Sequence, residues 1–185
     1  PLFVGFIRDI TEQKNAAANF EGQHSAISKS MAVIEFSLDG RIQTANENFL
    51  KTLGYSLDEI RGQHHSMFVT PEERTSFEYR AFWEKLGRGE YDAGQYKRLA
   101  KGGREIWIQA SYNPILDASG RPFKVVKFAS DVTDQMMVAF RVKEIADIVA
   151  SASTEMRATA ESMAEAAEDT TRRAFESCGL KLDRV

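Results

Sequence analysis

Cysteine is nearly absent from this 185-residue chain: Cys178 stands alone and outside the probable core. A single thiol without a partner excludes a disulfide framework and suits a reducing, cytoplasmic setting. Proline is scarce too, with four in all, so long helices meet few breaks. No apolar run approaches the roughly 20 residues that span a bilayer, and nothing resembles a signal peptide, so no membrane segment is expected here. Basic charge is not in excess: 24 Lys and Arg face 27 Asp and Glu, for a net charge of −3. With no concentrated basic stripe, nucleic acid is not an expected partner. The carboxylates are scattered, no Ser–His–Asp constellation stands out, and Gly102-Gly103 joins strands rather than opening a helix as a phosphate loop does. Enzymatic activity is therefore not expected.

What the chain does contain is a phrase used twice. Phe6-Ile-Arg-Asp-Ile-Thr-Glu-Gln13 returns as Phe128-Ala-Ser-Asp-Val-Thr-Asp-Gln135, about one small domain further on. Each copy reads as a strand ending at Asp, a polar turn, and a helix. The expected organisation is the end of a preceding module at 1–11, a connector helix at 12–30 and a complete module at 31–135. A coiled-coil helix at 136–174 and an irregular tail at 175–185, native or appended, complete it.

Within the module, Met31–Phe36 is β-prone and precedes Asp39-Gly40, a strong hairpin signal, after which Arg41–Ala45 returns. Asn46 caps a short helix stopped at Gly54, and Ser56-Leu-Asp-Glu59 is a capping box. Thr70-Pro71-Glu72-Glu73 opens a further helix with Tyr79, Phe82, Trp83 and Leu86 on one face. Three strands follow, at 91–99, 104–115 and 123–130, separated by glycine-containing turns. The order predicts an α+β fold, an antiparallel sheet with helices on one face. Alternation separates Ile106, Ile108, Ala110 and Tyr112 from Trp107, Gln109, Ser111 and Asn113, without saying which set faces the helices.

After Val138 the composition turns to Ala, Glu, Ser, Thr and Met. Val138, Val142, Ile145, Val149, Ala152, Met156, Thr159 and Met163 recur at alternating four- and three-residue steps, a coiled-coil seam. It predicts a homodimer through Val142, Ile145, Val149 and Met156.

These landmarks together resemble a PAS domain. Asp39-Gly40, Thr44-Ala-Asn-Glu-Asn-Phe49, Leu53-Gly-Tyr-Ser56 and Gly62 match the family's first half. Lys101-Gly-Gly103, Trp107-Ile108, Asn113-Pro-Ile115, Gly120 and Asp131-Val-Thr-Asp134 match its second. The resemblance implies a PAS fold with a five-stranded antiparallel sheet. Gly62–Val69 and the Phe82-Trp83 helix are most similar to PAS modules of cytoplasmic methyl-accepting chemotaxis proteins, including tandem-PAS aerotaxis and biofilm-dispersion receptors. It further implies a sensory input module that relays a small-molecule, gas or redox signal from the PAS cleft to a dimeric output helix, with the chemotaxis kinase and coupling protein binding a signalling tip absent from this chain. The alternative is a cofactor-free module for dimerisation and spacing.

The candidate pocket is His64, His65, Phe68, Trp83, Tyr96 and Trp107. His64 or His65 would ligate iron if haem were bound; the plainer reading has one in solvent and one bonded to backbone at a helix end. Trp83 would stack on FAD as in flavin-binding relatives, or fill the core. Two departures weigh on the flavin: Val69-Thr70-Pro71-Glu72 replaces a basic Arg-His-Pro-Asp stretch, and Arg98 stands where related modules offer Asn. A cysteinyl-flavin adduct is excluded, since His65 aligns near the required thiol. Asp131, Thr133 and Asp134 form the expected signal relay, with Thr133 capping the output helix and Asp134 favouring its N-terminus.

Overall fold

The hairpin at Asp39-Gly40 forms, by a different turn from the one such a dipeptide most often signals. Ser37 accepts from Gly40 N at 2.9 Å, and among the described residues every positive φ belongs to a glycine. Asp39 therefore stays out of the left-handed region, and of the pair Gly40 alone, at φ 81°, enters it. This computed structural model describes residues 8–179.

The hairpin joins β1 (Ala32–Phe36) to β2 (Ile42–Ala45). Helices α2 (Glu47–Leu53) and α3 (Leu57–Ile60) follow, then a 3-10 turn at His65–Phe68, α4 (Pro71–Thr75) and α5 (Phe77–Gly87). Three long strands, β3 (Asp92–Leu99), β4 (Glu105–Leu116) and β5 (Pro122–Asp131), complete an antiparallel sheet ordered β2-β1-β5-β4-β3. The last strand thus lies at the centre of the sheet, between β1 and β4. This is the PAS fold.

Local chemistry sets the helix ends. Asn46 accepts from Phe49 N at 2.9 Å, and Gly54 ends α2 in the left-handed region. The same Asn46 side chain accepts from Val33 N and donates to the carbonyls of Ser28 and Met31. One amide so ties the end of the preceding helix, α1 (Thr11–Ser30), to β1 and α2. The single helix expected after Thr70 is instead two. Ser76 adopts an extended backbone, and its hydroxyl accepts from Tyr79 N at 3.0 Å, which caps α5 and interrupts the run.

The sheet's helix-facing side is now assigned. Ile106, Ile108, Ala110 and Tyr112 are buried, together with Ile34, Phe36, Val125 and Ala129 of the neighbouring strands. Phe49, Leu53, Ile60, Phe68 and Leu86 from the helical side complete that core. Trp107 belongs to the other set and is half-buried.

Helix α6 (Thr133–Ser177) is one continuous element of 45 residues. It continues through Phe175–Ser177, where an irregular tail was expected; residues 180–185 of that tail lie outside the described residues. So do residues 1–7, on which most of the expected preceding module falls. Along α6 the seam is exposed in the single chain, with Val142 and Ile145 at 61%, Val149 at 57% and Met156 at 73%. Among the described residues, no helix is long and apolar enough to cross a membrane.

Candidate functional site

The centre of the core is polar. Gly62–His65 runs antiparallel along the start of β2: Ile42 N donates to Gln63 O, Gly62 N to Ile42 O, and His65 N to Gly40 O at 2.8 Å. That pairing, followed at once by the 3-10 turn, drives the His65 side chain inward to 0% exposure. Six aromatic rings, those of Phe36, Phe68, Tyr79, Phe82, Trp83 and Tyr112, have centroids within 6.3 Å of its imidazole. Both ring nitrogens are engaged, Nδ1 with the Tyr79 hydroxyl at 2.9 Å and Nε2 with the Tyr112 hydroxyl at 3.0 Å.

Tyr112 links this group to Arg98, whose Nη2 donates to its hydroxyl at 3.4 Å. Arg98 is 4% exposed, lies 4.9 Å over the Tyr96 ring, and donates through Nη1 to Glu73 Oε1 at 3.1 Å and to Lys97 O at 2.7 Å. Opposite Tyr112 in the β4–β5 register stands Lys127, 1% exposed. Its ammonium lies 4.8 Å from the Tyr112 ring centroid and 5.8 Å from that of Phe49. The aromatic faces attract the cation, but they do not replace water. Burial above all, and then the Arg98 charge, hold the Lys127 pKa well below its ordinary value.

The same causes act on the other groups. Burial first, then Arg98, Lys127 and His64, keep the His65 pKa well below 6.5, so the ring is neutral at physiological pH. Burial pushes Tyr79 up to about 12, a rise that the nearby Trp83 N–H opposes. Tyr112 is also raised by burial, against the pull of Arg98. Tyr96 donates to Asp92 Oδ2 at 2.6 Å, and Asp92 pairs with Lys85 at 2.6 Å.

His64, half-buried, accepts from Ser66 N through Nδ1 at 3.1 Å and caps the 3-10 turn. Its Nε2 packs over Gly40, where a Cβ would stand 2.6 Å from that nitrogen and 3.1 Å from Trp83 Cε2. Gly40→Ala is therefore expected to cost about 1–3 kcal/mol, combining left-handed backbone with a clash against two rings. Urea unfolding checks this; an unchanged midpoint would show that the rings yield freely.

Of the expected pocket residues, the structure brings together His64, His65, Phe68, Trp83 and Tyr96 around the core, while Trp107 lies on the sheet's other side. Arg98, noted only as a departure, and Tyr112, noted only as a strand residue, prove central to the network. Lys127 escaped notice, although it is in phase with Val125 and Ala129, the signal that would have found it.

Neither histidine fits an iron ligand in this arrangement. His65 has both nitrogens hydrogen-bonded, and the His64 Nδ1 lone pair is already accepting, which puts that ring's proton on Nε2. Among the described residues no group of three or more His, Cys, Asp or Glu is placed to hold a metal ion. A flavin ring over the sheet would have to displace Phe36, His65 and Tyr112, which are each at 0% exposure and pack on one another. Trp83 meets Phe36 and Phe82 at steep angles, with centroids 5.7 and 5.5 Å away.

The joint to α6 is built from hydrogen bonds. The Asp131 carboxylate accepts from Thr133 N at 2.9 Å and from the Thr133 hydroxyl at 2.6 Å. Thr133 Oγ1 in turn accepts from Trp107 N on β4 at 3.0 Å, and Val132 N donates to Trp107 O at 2.9 Å. The helix N–H is thus received by Asp131, while the Thr133 hydroxyl is spent on the sheet. Asp134 lies in the first turn of α6.

Comparison with known proteins agrees with this architecture. Residues 42–129 match the family described as the PAS fold. The chain is 41% identical over 158 residues to the biofilm dispersion protein BdlA of Pseudomonas aeruginosa, covering 85% of this chain and 38% of that protein. It is 28% identical over 102 residues to the aerotaxis receptor of Escherichia coli, covering 55% of this chain and 20% of the receptor. The chain therefore spans less than two fifths of either relative. Among solved structures, an RNA-binding light-oxygen-voltage receptor superposes with a TM-score of 0.59 at 18% identity, covering 79% of this chain and 41% of that one. A PAS domain from Colwellia psychrerythraea gives 0.55 at 21% identity, covering 62% of this chain and 98% of that domain. At such identities these two speak for the fold alone.

Proposed function

From the premise that residues 32–133 form a PAS domain, we propose that the chain is the sensory input module of a cytoplasmic chemotaxis receptor, acting as a homodimer. The relatives named for biofilm dispersion and aerotaxis support a sensory role. The signal is a small molecule that alters packing around His65. Its effect travels through Tyr112 on β4 to Trp107 on the same strand, and from there to the first residue of α6. The observation that carries this reading is the Thr133 hydroxyl, which joins β4, the end of β5 and the output helix in one bonded joint.

Two copies of α6 bury the seam of Val142, Ile145, Val149 and Met156 against each other, so a small shift at the joint changes register or supercoil over a long rod. The chemotaxis kinase and coupling protein read that change further along the receptor. The role is read as regulatory rather than catalytic, in keeping with the relatives named for biofilm dispersion and aerotaxis.

Asp131→Ala in the full receptor is expected to reduce the cellular response several-fold while the protein remains folded and abundant. A response equal to wild type refutes the coupling route. A second reading, a spacer that dimerises without sensing, is favoured by one observation, the filled core. It predicts that core substitutions which preserve the fold leave signalling untouched.

A further inference from the structure

The hydrogen bonds around His65 have a direction. A neutral imidazole has one N–H and one lone pair. Arg98 has only donors, so the Tyr112 oxygen accepts from it, and the Tyr112 O–H finds its acceptor in His65 Nε2. The ring proton then sits on Nδ1 and is donated to the Tyr79 oxygen. The opposite sense would leave the Tyr112 O–H unpaired at 0% exposure, the costlier arrangement. The chosen sense leaves the Tyr79 O–H in need of an acceptor. Beside that hydroxyl lies a second donor, Trp83 Nε1, which is buried and faces the Tyr79 oxygen without reaching hydrogen-bond geometry.

Tyr79 and Trp83 line the same surface cleft, of ≈ 380 Å³, whose walls include His64, Ser66, Arg74 and Arg80. That volume suits a small molecule. Of the two carboxylates on its rim, Asp39 is occupied by the Ser37 hydroxyl and by Arg41 at 3.3 Å, and Glu84 is exposed.

We propose that this cleft binds a small organic carboxylate, whose oxygens accept from the Tyr79 O–H while Arg74 and Arg80 balance its charge and the neighbouring Trp83 N–H reports its arrival. The proposal rests on the sensory reading above and gives it a ligand class. Binding at Tyr79 reaches His65 directly through the Nδ1 bond, and Tyr112 and Arg98 beyond it.

The chain has two tryptophans, so a ¹⁵N-labelled sample shows two indole N–H signals, and Trp83→Phe assigns them. Titration with sodium benzoate and sodium succinate, against benzamide and sodium chloride as controls, reads the site. The Trp83 signal is expected to move and saturate with at least one of the carboxylates while that of Trp107 stays. Tyr79→Phe should weaken that binding at least about tenfold, the usual loss for a hydrogen bond to a charged group. Arg80→Gln, at an exposed position, should weaken it too and carries the test if Tyr79→Phe unfolds. A Trp83 signal unmoved by both carboxylates, moved equally by sodium chloride, or moved as well by benzamide as by benzoate overturns the proposal. Binding that leaves the α6 signals unchanged would count against the sensory reading alone. Absence of binding in a chain whose Asp131→Ala variant still loses its response would count against this proposal alone.

Discussion

Lys127→Met is expected to stabilise the domain at pH 7 by about 2 kcal/mol, within the range seen when buried charges give way to apolar residues of similar volume. The gain corresponds to a rise in Tm of roughly 10 °C for a domain of this size. The Lys127 ammonium lies against two aromatic faces at 1% exposure, and its pKa is held well below 10.5 by burial and by Arg98. Between that lowered value and 10.5 the unfolded chain binds a proton that the folded chain does not. Stability therefore falls as pH drops through this interval. The advantage of methionine should accordingly be larger at pH 7 than at pH 10. Urea denaturation at both values checks magnitude and sign together. A destabilised K127M at pH 7 would mean that the amine contributes a bond the core depends on.

The second large effect is expected at Tyr112. Tyr112→Phe keeps the ring and removes one oxygen, yet leaves His65 Nε2 and Arg98 Nη2 without that partner in a core sealed from water. The cost should be about 2–3 kcal/mol, near the upper end for stranding buried polar groups. Its pH dependence has a defined sign. His65 titrates well below 6.5 in the folded chain, so on acidification through 6.5 the unfolded chain takes up a proton first and stability declines. The slope from this one group cannot exceed about 1.4 kcal/mol per pH unit. His65→Gln should remove that share of the slope between pH 7 and 5, leaving any contribution from Lys127. Equal slopes in wild type and H65Q would show that the imidazole is not held neutral.

Much of this was legible from residue order, for reasons that differ along the chain. The hairpin, the Asn46 and Thr70 caps and the three long strands are set by local chemistry, which a linear sequence records. The break at Ser76 is local too, but a hydroxyl inside an apolar period reads as a polar face until its bond to Tyr79 N is seen. The buried cations were the least legible. Arginine and lysine are almost never fully buried, and what holds Arg98 inward is Glu73, 25 residues away in the chain. The choice between the two faces of β4 needed the non-local pairing of Gly62–His65 with β2, which aims His65 at Tyr112. No spacing within β4 encodes that meeting.

The proposed relay from core to rod, and the proposed dimer with it, are tested most directly by cysteine cross-linking at position 145 of the full-length chain, with Cys178 replaced by serine. Ile145→Cys should cross-link at a rate that Tyr112→Phe changes several-fold. Adding Thr133→Val, which cuts the hydroxyl joint to Trp107 and Asp131, should return the two rates to equality. A Tyr112→Phe rate identical to its parent, in a protein that is folded and dimeric, would contradict the account.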